Sequence, residues 1–181
     1  MDKRKEANLR VRQAISHSLL ELMQERPLSS ISVSEVIRKA GVARASFYRN
    51  YTSKEDVLVG YVRYVLEDFR EKADYDLSDY LSMRHIRRIF EYLSRYRSCF
   101  LNLHDSGHAP MVLDEFNSFH ASIAGDMPAN SDARYRLYFF IGAVYNSAVF
   151  WLKEDNPAPL DAVAAALLKA VAPARGPAPE A

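Results

Sequence analysis

An all-α fold is predicted by three features of this 181-residue sequence. Apolar residues recur three and four apart along most of its length, the signature of amphipathic helices. No stretch keeps a two-residue alternation, and no Asn-Gly or Asp-Gly pair marks a hairpin. Glycine and proline are scarce, and most of the prolines lie beyond Asn156.

The first helix is predicted from Lys5 to Arg26, with Leu9, Ile15, Leu19, Leu20, Leu22 and Met23 on one stripe. Pro27 ends it, because the residue before a proline avoids the α region. Ser32-Val33-Ser34-Glu35 is a capping box that opens a short helix carrying Val36, Ile37 and Ala40. Gly41 supplies the turn, where positive φ costs a glycine little. A second short helix spans Ala43 to Tyr51, and Ser53-Lys54-Glu55-Asp56 starts a long one to Ala73. Further helices are predicted over Met83 to Tyr96, Ser98 to His104, Pro110 to Ile123, Ser131 or Asp132 to Lys153, and Leu160 to Val171. Pro110 suits a first turn, whereas Ser106-Gly107, Gly125 to Pro128 and Asn156-Pro157 act as breaks. The closing ARGPAPEA reads as a frayed tail.

The composition, 49% hydrophobic and 26% charged, suits one domain or a small one fused to a larger. Cys99 is the single cysteine, so no intrachain disulfide can form. The densest apolar run, Leu137 to Leu152, is interrupted by Tyr138, Tyr145 and Asn146 and is no membrane span. The charged start, MDKRKEANLRVRQ, lacks the apolar core of a signal peptide. These readings predict a cytoplasmic protein with no membrane partner. The net charge of +1 divides unevenly, +4 up to Gly60 and −3 from Tyr61 onward. A basic amino-terminal third suggests a polyanionic partner for that part.

Two short helices joined at a glycine and packed on a leading helix form a helix-turn-helix, whose second helix enters the DNA major groove. Ile31, Val36, Ile37, Ala40, Val42 and Phe47 can make its small interior. Arg44, Ala45, Ser46, Tyr48, Arg49 and Asn50 then remain outward. Arginine pairs with guanine edges, alanine touches a thymine methyl, and serine donates or accepts. Tyr48, Lys54 and the amides at Ser32, Val33 and Ser53 suit phosphate oxygens.

The run ISVSEVIRKAGVARASFYRNYTSKEDVL resembles the helix-turn-helix of the tetracycline-repressor-like (TetR/AcrR) family of bacterial regulators. The resemblance rests on Ser32, Ala40-Gly41-Val42, Phe47-Tyr48, Tyr51, Lys54-Glu55 and Val57-Leu58, and covers Ala7 to Tyr61. Two positions depart from the family pattern. Ala43 stands where Ser or Thr usually caps the recognition helix, and Asn50 where His often contacts phosphate.

That resemblance implies a helix-turn-helix domain over residues 1–52 and a helical-bundle regulatory and dimerisation domain over 53–181. It implies a homodimer, built from the last two helices, on a palindromic double-stranded operator. Phe140, Val144, Ala148, Trp151, Val163, Leu167 and Leu168 are the expected interface residues. It further implies a repressor released by a small apolar or aromatic effector, with Tyr61, Tyr64, Phe69, Phe90, Phe100, Phe116, Phe119, His120 and Tyr145 as pocket candidates. The alternative is a pocketless coactivator or interaction module.

Enzymatic readings find little support. His104 and His108, with Asp105 and Cys99 nearby, lie four apart, but Gly107 breaks the helix and no second ligand pair follows. No phosphate-binding glycine loop and no G-x-S-x-G elbow occurs. No enzyme, metal or cofactor is expected.

Overall fold

The computed structural model describes residues 3–155 and 157–171. All regular structure among them is helical. In chain order the helices are α1 (Lys3–Glu25), α2 (Val33–Ala40), α3 (Arg44–Asn50), α4 (Lys54–Glu71), α5 (Met83–Arg95), α6 (Arg97–Leu103), α7 (Ala109–Ala124), α8 (Asp132–Lys153) and α9 (Leu160–Val171). A 3-10 turn, Leu28–Ser30, joins α1 to α2. Asn156 and the tail after Val171 lie outside the described residues.

Most caps follow from the sequence. Ser32, Ser53, Ser82 and Ser131 each accept a hydrogen bond from the amide three residues on. The start of α4 differs in detail from the box at Ser53, because the Asp56 carboxylate accepts from Thr52 N rather than closing back on Ser53. The expected stop at Ser106-Gly107 is instead a wide π-type turn, His104–His108, in which Gly107 takes φ 84° and re-aims the chain into α7.

The chain divides into two compact units. One takes the residues up to Lys72 together with Ser98–Glu115; the other takes Ala73–Arg97 and the residues from Phe116. The first unit is therefore larger than residues 1–52. Its core is α1, against which α2, α3 and α4 pack through Ile15, Leu19, Val36, Phe47, Val57 and Leu58, all buried. The stretch beyond residue 52 belongs to it for specific reasons. Asn102 donates to the Met23 carbonyl at 2.9 Å, and Arg63 grips Glu115 with two bonds of 2.8 Å. Cys99, half-buried, hydrogen-bonds Tyr61, and burial pushes its thiol up to about 12. Gly60 admits the Tyr51 ring, since a Cβ there would lie 2.8 Å from a ring carbon.

In the second unit α5, α8 and α9 pack on one another. The apolar stripe of α8 is buried (Leu137, Phe140, Ile141, Val144, Tyr145, Ala148), as are Ile86, Ile89 and Phe90 of α5 and Ala164 and Leu167 of α9. Two histidines sit inside this aromatic core. His120 Nδ1 lies 2.9 Å from the Phe116 carbonyl, so that nitrogen carries the proton and donates. His120 Nε2 then accepts from His85 Nε2–H at 3.3 Å, and His85 Nδ1 accepts from the Tyr75 hydroxyl at 3.1 Å. Hydrogen bonding thus assigns one neutral tautomer to each ring. Burial first, and the neighbouring imidazole second, press His85 down to about 3; burial presses His120 down to about 4.

Both histidines titrate below their ordinary value in the folded chain, so the unfolded chain binds more protons under about pH 6.5. Folding stability should therefore fall as pH drops from about 6.5 towards 4, at up to about 1.4 kcal/mol per pH unit for each ring. Denaturant titrations across that range should give a shallower slope for His120→Gln, whose amide can keep both hydrogen bonds without titrating. An unchanged slope would mean that the pair is not held neutral. In the first unit, Gly60→Ala should cost about 1–3 kcal/mol in urea unfolding, because the buried Tyr51 ring must move.

Candidate nucleic-acid interface

The interface starts from how α2 is anchored. Ser32 Oγ accepts from Glu35 N at 3.2 Å, and Ser32 N donates to Glu35 Oε2 at 2.9 Å, closing the capping box. Arg26, just past α1, donates to the other Glu35 oxygen at 2.6 Å. The Arg26 hydrogen bond, and then those from Ser32, hold the Glu35 carboxyl down at about 2. Gly41 ends α2 at φ 64°, and its neighbour Val42 returns a hydrogen bond to the Ile37 carbonyl.

Helix α3 is only seven residues long, and its N-cap, Ala43, makes no side-chain cap. Tertiary packing orients it instead. Phe47 is 0% exposed and meets Tyr48 and Tyr51 edge-on or tilted, with ring centroids 5.3 and 6.1 Å apart. On the opposite side Arg44, Ala45, Tyr48 (49%) and Arg49 are exposed. Arg44 lies over the Tyr48 ring at 5.3 Å and donates to the Ser34 hydroxyl at 3.3 Å. The outward set expected on α3 is therefore largely outward, and Ser32 and Val33 stand beside it at the start of α2.

Three of the expected positions are placed differently. Ser46 is only half-exposed. Asn50 spends its amide on the Ser46 carbonyl at 2.8 Å, an i to i−4 bond within α3. Lys54 is not aimed at solvent phosphate, because Nζ donates to the Leu28 and Ile31 carbonyls at 2.6 and 2.8 Å. Arg38, exposed at the end of α2, adds a positive charge that sequence reading did not single out. Its place one turn from Gly41, in the last turn of the helix, was the available signal.

The pocket candidates are divided between the two units. Phe69 and Phe100 are buried in the first, where Tyr61 and Tyr64 line a cleft of about 500 Å³ with Leu9, Arg12 and Gly60. Phe90, Phe116, Phe119, His120 and Tyr145 are buried in the second, with Phe116 and Tyr145 edge-to-face at 6.1 Å. Among the described residues no three His, Cys, Asp or Glu side chains are grouped to hold a metal.

Of the expected dimer residues, Phe140, Val144, Ala148 and Leu167 are buried within the chain's own second unit. Trp151 packs edge-on against Phe90 at 5.6 Å and donates to the Ala158 carbonyl. Val163 and Leu168 are half-buried. The opposite face of α8 instead exposes Tyr135, Tyr138, Phe139 (58%) and Phe150 (69%). A helix apolar all round carries two such faces, and counting spacing on one of them does not say which a neighbour covers.

Residues 15–60 match the model of the bacterial regulatory proteins of the tetR family. The chain is 24% identical over 161 residues to the HTH-type transcriptional regulator YxbF of Bacillus subtilis (strain 168), itself uncharacterized. That match takes in 82% of the chain but 41% of the relative, so the chain spans about two fifths of YxbF. Its fold resembles a TetR transcriptional regulator from Streptococcus agalactiae 2603V (TM-score 0.66, 20% identity, 93% of this chain and 97% of that one). It also resembles the dihydroxyacetone kinase operon activator DhaS (TM-score 0.59, 14% identity, 89% and 93% covered). The family match falls on the same helices that bury Phe47 and turn Arg44 and Arg49 outward, so residues 15–60 carry the amino-terminal helix-turn-helix of the tetR family of bacterial regulatory proteins.

Proposed function

We propose that this chain is a DNA-binding transcriptional regulator, not an enzyme, and that it represses by seating α3 in the major groove of a palindromic operator. The observation that carries this reading is the outer face of α3, where Arg44 and Arg49 are exposed on a helix fixed from behind by Phe47. Arg44, Ala45 and Ser46 lie in the first turn, the end that meets base edges, and Tyr48 and Arg49 flank them towards phosphate. Ser32, Val33 and Asn50 sit at the edge of that surface, and Arg38 extends its charge.

A homodimer supplies the two recognition helices that a palindrome needs. The exposed aromatic row of α8 (Tyr135, Phe139, Phe150) is the surface proposed for it. Large aromatic side chains exposed along one helix face are costly to leave in water. In this scheme residues 1–52 read DNA and 53–181 dimerise and respond. An apolar or aromatic effector that prefers the form with wrongly spaced recognition helices would release the operator, by no more than its differential affinity. A second reading, a regulator without an effector, is favoured by the mutual packing of Phe116, Tyr145, His120 and Phe140, which fills space that a ligand would need. A thermal-shift panel of aromatic and aliphatic acids separates the two: a raised Tm supports an effector.

Duplexes selected by the wild-type protein from a random library provide the probe. Arg44→Ala should lower affinity for the selected duplex about 10- to 100-fold, while affinity for mixed-sequence DNA changes less. Arg49→Ala should weaken both alike and reduce the slope of log affinity against log salt by about 0.9. Unchanged binding in both variants would remove α3 from the interface. Phe150→Asp should convert a dimer to a monomer in sedimentation velocity at micromolar concentration. A wild-type monomer would defeat the dimer reading.

A further inference from the structure

Helix α4 packs principally on α1. Its first residue, Lys54, also reaches the segment that leads into α2. Nζ donates to the Leu28 carbonyl at 2.6 Å and to the Ile31 carbonyl at 2.8 Å, across 26 and 23 residues of sequence. Those carbonyls bracket the 3-10 turn that immediately precedes the Ser32 cap of α2. The far side of the same turn is held by Arg26 on Glu35. An ammonium hydrogen-bonded to two peptide dipoles is a strong, charge-assisted tie, and with Lys54 half-buried it is only partly screened by water.

We infer that Lys54 is a positioning residue for DNA reading: it latches the start of α4 to the start of α2 and so fixes the pose of α3, without itself touching phosphate. The inference rests on the DNA-binding reading above. Lys54 is the first residue of α4, immediately after the α3–α4 loop, where a cation beside a basic surface invites assignment as a phosphate contact. Its geometry argues otherwise, because two of its three donors already point into the protein. Tyr51 makes the companion tie at the other end of α3, where its ring lies against Gly60 of α4 and its hydroxyl accepts from Arg12 Nε at 3.3 Å. With both ends of the recognition pair referred to α4, a displacement of α4 alters the aim of α3. Losing the Lys54 tie frees one of those ends.

The two roles differ in what they do to salt dependence. A phosphate contact releases counterions, and removing it lowers the salt slope by about 0.9; removing a latch does not. Lys54→Met should therefore weaken binding to the selected duplex about tenfold, leave the salt slope unchanged, and weaken mixed-sequence binding much less. A slope that falls as it does for Arg49→Ala, with both duplexes weakened equally, overturns the inference. The wild-type protein gives a second measurement that needs no variant to fold. In lysine acetylation footprinting, Nζ of Lys54 should react slowly in the free protein compared with Lys39, and adding duplex should not change its rate. A Lys54 that reacts freely and is protected by duplex overturns the inference while leaving the DNA reading intact. A wild-type protein that enriches no duplex overturns both.

Discussion

A helix of seven residues cannot maintain its own direction in water, because nucleation costs more than so few hydrogen bonds return. In this chain the direction of α3 is supplied by Phe47, wholly buried beneath it. Once that ring is inside, helical geometry sends Arg44, Ala45, Tyr48 and Arg49 to the other side with little further choice. The missing side-chain cap at Ala43 matters less than it would on an isolated peptide, because packing rather than local propensity holds the helix. The stacking of Arg44 on Tyr48 narrows the range of the guanidinium before any ligand arrives.

The second unit solves a different problem. An imidazole in an aromatic core is tolerated only when each nitrogen has a partner, and the run from Tyr75 through His85 and His120 to the Phe116 carbonyl provides one for every nitrogen. The bond between the two rings is satisfied only while His120 is neutral, because its Nε2 must accept from His85. It therefore fixes the packing of α5 against α7 more specifically than apolar contacts alone would.

Much of this was readable from residue types. Ser32-Val33-Ser34-Glu35 dictates its own capping box, and Gly41 stands where a left-handed turn is needed, since both depend on neighbours a few residues away. Phe47 as an interior residue followed from the amphipathic pattern. Lys54 did not, because a lysine at a helix start gives no hint of carbonyls 23 residues back. Which face of α8 the chain itself covers was not legible for a related reason. Phe140 and Phe139 are adjacent and chemically alike, and only the arrival of α5 and α9 decides which is covered. Gly60 looks ordinary until the Tyr51 ring is seen against it. Local signals were legible; partners distant in sequence were not.

The environment of Cys99 has a practical consequence. Burial holds the proton on its thiol well above the ordinary range, so the reactive thiolate is scarce at neutral pH. The chain should consequently resist oxidative cross-linking and routine alkylation while folded. Any labelling that does occur would report how often the ground around α6 opens to solvent, which makes the lone thiol a built-in gauge of breathing in the first unit.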